Sequence, residues 1–114
     1  MKKIIFLILI FFTTVINVQA EEIKRITVGS KDAKITIIAF ESLTCSHCAN
    51  FHKDVYPQLK EEFLDKGIAK IEFRHFPLDL AAFNASKISQ CKNDGNTDIL
   101  ESCLLYTSDA ADEV

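Results

Sequence analysis

These 114 residues lack an excess of positive charge, an apolar run of membrane-spanning length, an internal repeat or low-complexity block, and a second CxxC or any HxxxH. Each absence closes a class of function. Thirteen Lys and Arg stand against sixteen Asp and Glu; without Lys2 and Lys3 the balance is about −5, so no basic stripe exists to neutralise phosphates and nucleic acid is not an expected partner. The apolar stretch Ile4 to Ile16 falls short of the roughly 17–25 residues that a spanning helix needs.

That stretch is instead read as part of an export signal. Lys2 and Lys3 give a positive start, and Val18-Gln19-Ala20 places small residues at the positions that favour cleavage after Ala20. Residues 1–20 are therefore expected to be a signal peptide and the chain's only contact with a membrane. Export delivers the remainder to a compartment where disulfides form and persist. At the other end, residues 103–114 (Cys103 to Val114) resemble the translation of a sequencing adapter. They are expected to be non-native and to pack poorly, which leaves 21–102 as part of one domain, expected not to fold cooperatively or act as an enzyme by itself.

Within 21–102 the pattern alternates between strand and helix. Ile23 to Val28 reads as a short edge strand, with a turn at Gly29 to Asp32. Lys34 to Phe40 is rich in β-branched and aromatic residues, which predicts a strand buried on both faces. From Cys48 the period becomes helical: Cys48, Phe51, Val55, Leu59 and Phe63 fall on one stripe that can pack on a sheet. Pro57 predicts a kink in this helix and Gly67 its end. Ile68 to Phe76 reads as a second strand, with Ile71, Phe73 and His75 on one face. Strand, helix and strand make a βαβ unit with parallel neighbours. Leu80 to Cys91 is helical again, capped by Asp79 and followed by a turn at Asn93 to Asn96.

Cys45 and Cys48 fall where the first long strand hands over to the helix. A thiol at a helix start faces unpaired backbone N–H groups and the positive end of the dipole, which stabilises its thiolate. Cys45 is the expected nucleophile, and Cys48, one turn further in, the resolving thiol. His47 between them adds a hydrogen bond or a charge that favours the Cys45 thiolate. Two other readings of these cysteines stay open. One is a static disulfide. The other is a metal site of Cys45, Cys48 and His52 with His75 as a distant fourth ligand, although zinc normally draws its ligands as two spaced pairs. His75 is otherwise a strand-end histidine without a catalytic part. Cys91 reads as a buried thiol, or as one whose partner lies further along the chain.

The run Phe40-Glu41-Ser42-Leu43-Thr44-Cys45-Ser46-His47-Cys48-Ala49-Asn50-Phe51-His52, with Val55-Tyr56-Pro57 and then Glu72 to Asp79, resembles the DsbA-like branch of the thioredoxin superfamily. The resemblance extends from about Thr27 to Cys91. It implies an α/β, thioredoxin-like fold: a βαβ half plus the start of a helical insertion at Leu80, with the cis-proline half expected beyond Ser102. It also implies a periplasmic thiol–disulfide oxidoreductase that uses Cys45, Cys48 and His47 with Ser46 in the redox motif, where the family commonly has proline. No metal, flavin or nucleotide cofactor is expected. Reduced unfolded secreted proteins and a membrane redox partner are the expected partners. A disulfide isomerase or reductase with the same motif, and a copper or zinc carrier, are the alternatives.

Overall fold

The computed structural model describes Lys3 and residues 21–112, with side chains through Tyr106. Apart from Lys3, the expected signal peptide lies outside the described residues. Three strands form one sheet in the order β1-β3-β2. β1 (Ile26–Gly29) pairs antiparallel with β3 (Ala69–His75), and β2 (Ile35–Glu41) pairs parallel with it, Ile37 opposite Ile71 and Glu41 opposite His75. The parallel pair and the helical crossover between its strands are the βαβ unit that the sequence predicts.

Among the described strands β3 stands between the other two. Ile71 and Phe73 are buried on it, together with Ala69 and the charged Glu72. Glu72 is held by Arg74 at 2.7 Å and by Arg25 of the segment before β1 at 3.3 Å. β2 lies at the edge of the described sheet, and the expectation that it is buried on both faces fails: Ile35, Ile38 and Phe40 are exposed. Its other face turns Ile37 and Ala39 toward the helix, and Glu41 beyond them is buried. Gly29 ends β1 where only a missing side chain fits, since a Cβ there would meet the Ala69 carbonyl oxygen at 2.7 Å.

The helix after β2 is irregular. α1 (Ser46–Asn50) runs into a π turn (Phe51–Val55), then α2 (Tyr56–Leu59) and a second π turn (Lys60–Leu64). Pro57 sits in the first turn of α2. It lacks a backbone donor and crowds the turn before it, and the wider π turn is where the helix absorbs that defect. The bonds Tyr56 N–H to Phe51 carbonyl and Asp65 N–H to Lys60 carbonyl span five residues.

The buried stripe therefore differs from the expected one. Ala49, His52, Tyr56 and Leu64 are buried, Cys48, Phe51 and Leu59 are half-buried against them, and Val55 and Phe63 are exposed. The first half is rotated by one position because His52 and Tyr56, which a purely apolar pattern passes over, face inward. In the second half the π turn spaces Leu59 and Leu64 five apart. Gly67, with φ +70°, closes the run.

α3 (Leu80–Ser89) starts at Asp79, whose carboxylate accepts from the Ala82 N–H at 2.7 Å. α4 (Asp98–Asp112) continues through Ser102 into the segment expected to pack poorly. Leu104 is completely buried there, and Leu100 nearly so, with Cys103 packed against the same core. Positions three and four apart share a helix face, so Leu100, Cys103 and Leu104 form one apolar edge that docks on α1. Burying such a leucine stabilises by about 1.5–3 kcal/mol.

Candidate active site

Cys45 is the N-cap residue of α1, in extended conformation, and no side-chain oxygen caps the helix. The cap position is filled by sulfur. Its backbone is fixed on both sides, its own N–H donating to the Ser42 carbonyl at 3.1 Å and its carbonyl accepting from Ala49 at 3.1 Å. The turn before it is pinned to the start of α3: Thr44 Oγ1 donates to Asp79 Oδ2 at 2.6 Å, and the Leu78 N–H donates to Ser42 Oγ at 3.3 Å. Asp79 thus joins the cap of α3 to the residue next to Cys45.

The two thiols are within hydrogen-bonding reach and differ in character. The hydrogen bond from the Cys48 thiol, with those from the Cys48 and His47 backbone N–H groups, lowers the Cys45 pKa, against partial burial and the Glu41 charge. Burial raises the Cys48 pKa, and its hydrogen bond to Cys45 adds to that. Cys45 is therefore the readier of the two thiols to ionise.

Beside them lies a groove of about 260 Å³ lined by Ala39, Phe40, Glu41, His47, Cys48 and Phe51. His47 is exposed where it lines the groove, and Ser46 beside it is exposed as well. His75 is distant from the thiol role: its Nε2 lies 2.9 Å from Ser89 Oγ, and burial lowers its pKa. Cys91 corrects the expectation of a buried thiol, since it is exposed and its Sγ donates to the Lys87 carbonyl at 3.3 Å.

His52 does not turn to the cysteines as a ligand. Its Nε2 lies 2.9 Å and 3.0 Å from the two carboxylate oxygens of Glu41, and both side chains are almost fully buried. Among the described residues no three His, Cys, Asp or Glu side chains gather as a metal site would require. The Glu41–His52 pair is the feature that the sequence reading missed. The available signal was alternation, which puts the charged Glu41 on the same face of β2 as Ile37 and Ala39.

A family model described as Thioredoxin matches residues 21–112. The alpha-DsbA1 structure of Wolbachia pipientis superposes with a TM-score of 0.68 at 33% identity, over 79% of this chain and 46% of that one. The chain belongs to the thioredoxin family, in its DsbA-like branch. BdbD of Bacillus subtilis, in its oxidised form, is similar at TM-score 0.59 and 26% identity, over 70% of this chain and 46% of that one. A relative in Rickettsia bellii named a protein-disulfide oxidoreductase is 35% identical over 72 residues, which are 63% of this chain and 28% of the relative. The DsbA-like chain thus spans under half the length of the proteins it resembles.

Proposed function

We propose that the protein is a periplasmic thiol–disulfide oxidoreductase that donates the Cys45–Cys48 disulfide to reduced, unfolded secreted proteins. The observation that carries this reading is the asymmetry of the dithiol at a helix N-cap: the Cys45 pKa is lowered and the Cys48 pKa raised. A substrate thiolate attacks Cys45 Sγ, the bond to Cys48 breaks, and its electron pair leaves on the Cys48 sulfur, which takes a proton. A second substrate thiolate then attacks the substrate sulfur of the mixed disulfide and expels Cys45 as a thiolate. A low-pKa sulfur leaves faster, so the lowered Cys45 favours oxidation of the substrate over its reduction.

In this reading Cys45 and Cys48 are catalytic, exposed His47 supports the departing thiolate from the groove, and Ser46 sets the fine poise. Residues 1–20 serve export, and a membrane redox partner restores the disulfide. The test is oxidation of a reduced, unfolded protein by the full-length oxidised enzyme. Cys45→Ser is expected to abolish turnover, and Cys48→Ser, given a substrate that already carries a disulfide, to accumulate a mixed disulfide as Cys45 attacks that bond and the second substrate sulfur leaves as a thiolate. Equal rates for wild type and Cys45→Ser would overturn the proposal.

A further inference from the structure

The segment from Phe76 to Asp79, between β3 and α3, is stitched to the residues just before the dithiol. The Phe76 N–H donates to the Glu41 carbonyl at 2.7 Å and the Leu78 N–H to Ser42 Oγ at 3.3 Å. Thr44 Oγ1 lies 2.6 Å from Asp79 Oδ2 and 3.3 Å from Ser42 Oγ. The direction of these bonds follows from one charge. The Thr44 and Ala82 donors hold the Asp79 carboxyl below its ordinary pKa, so at neutral pH it is ionised and can only accept. Thr44 therefore gives its one hydroxyl hydrogen to Asp79, and the bond between the two hydroxyls takes its hydrogen from Ser42. The result is a one-way relay: Leu78 N–H to Ser42 Oγ, Ser42 O–H to Thr44 Oγ1, Thr44 O–H to Asp79. Hydrogen bonds in series polarise one another, and the last of these is charge-assisted.

Ser42 is where the relay meets the thiols. It is 2% exposed, and its carbonyl accepts from the Cys45 N–H at 3.1 Å. Its own N–H donates to the Cys48 sulfur, a contact that favours the Cys48 thiolate against burial. Cys45 draws on other backbone donors, the N–H groups of His47 and Cys48, which belong to α1. The two sulfurs thus lean on different parts of the chain: Cys45 on the helix, Cys48 on the turn that the relay fixes.

We propose that Thr44 and Asp79 are positioning residues that hold the Ser42 N–H against Cys48 Sγ, where it stabilises the sulfur that leaves when the disulfide opens. The proposal rests on the reading of Cys45–Cys48 as an exchanging disulfide. When a glutathione thiolate attacks Cys45 Sγ, a bond forms between those two sulfurs and the Cys45–Cys48 bond breaks. Its electron pair stays on Cys48 Sγ as a thiolate until a proton arrives from solvent. A donor already aimed at that sulfur costs no reorganisation as the charge appears, and a better-stabilised thiolate leaves faster.

The experiment mixes the oxidised full-length protein with reduced glutathione and follows the opening of the disulfide. Thr44→Val keeps the side chain's shape without its hydroxyl; Asp79→Ser keeps a cap for α3 but is too short to reach Thr44. Each is expected to open about tenfold more slowly, the loss of part of a hydrogen bond to a charged sulfur. The double variant is expected to be no slower than either, because the two residues act as one unit. Thr44→Ser is expected to restore the wild-type rate. The pH profile of Cys45 alkylation in the dithiol form is expected to stay in place, since its backbone donors lie on α1, whereas a general loosening of the turn moves rate and profile together. A folded Thr44→Val that opens as fast as wild type, a slowing that Thr44→Ser does not rescue, or a profile that moves with the rate would overturn the proposal. Hydrogen exchange on the wild type guards against misfolded variants: the Ser42 amide is expected to be protected in the dithiol form, and exchange as fast as in an open turn sinks the idea whatever the variants do. A wild-type disulfide that glutathione does not open at all removes the functional reading and this proposal with it, an outcome distinct from brisk opening in wild type and variants alike.

Discussion

Phe73 is the residue through which the sheet supports the dithiol helix, and replacing it with leucine tests that support. Its ring is 3% exposed and stands 5.2 Å from His52 and 5.6 Å from Tyr56. Leucine keeps the site apolar but removes both ring contacts, each worth about 0.5–1.5 kcal/mol beyond the area buried. The expected cost of Phe73→Leu is therefore about 2 kcal/mol, allowing a few tenths for imperfect refilling. For a full-length protein of roughly 150–250 residues that is a fall in Tm of roughly 4–8 °C, read by circular dichroism melting of the full-length protein and by its urea midpoint. Val55→Ala is the matched control: Val55 belongs to the stripe that the sequence predicts but is 51% exposed, so its truncation is expected to stay within about 0.5 kcal/mol. If Val55→Ala cost more than Phe73→Leu, the register of the helix on the sheet described above would be wrong.

Tyr56 supplies an alkaline test. Burial, then the charges of Glu101, Asp65 and Glu41, push its phenol up to about 12. The tyrosinate is disfavoured in the fold, so this contribution is complete below pH 10 and is lost as pH rises from 10 toward 12; after discounting for solvent screening it is about 1 kcal/mol. By urea midpoints, wild type should lose about 1 kcal/mol relative to Tyr56→Phe between pH 8 and about 11.5, and a constant gap would count against it. Asp79 supplies an acid test. The hydrogen bonds from Thr44 and Ala82 lower its pKa below the ordinary 3.8, so its clasp on the dithiol turn is present above that value and is lost as pH falls through the lowered one. Wild type should lose helicity over that window more steeply than Asp79→Asn; parallel acid profiles would show that the clasp contributes nothing.

The βαβ frame was legible because its signals are local. β-branched runs mark β2 and β3, Asp79 caps α3, Gly67 takes a positive φ, and Cys45 falls at the junction of strand and helix whatever the rest of the chain does. Which of the described strands stands between the other two was not legible, because it depends on the pairing of β1 with β3, more than forty positions away. The helix stripe failed for a related reason. A pattern counted in apolar letters puts His52 and Tyr56 outside, because a polar group is buried only when it has a partner. The partner of His52 is Glu41, eleven residues earlier and at the end of a strand. Each makes the other's burial tolerable, so neither could be assigned to the interior without the other. The two positions hardest to read from the sequence are thus the two that pair with each other in the interior, and it is their mutual dependence that hides them.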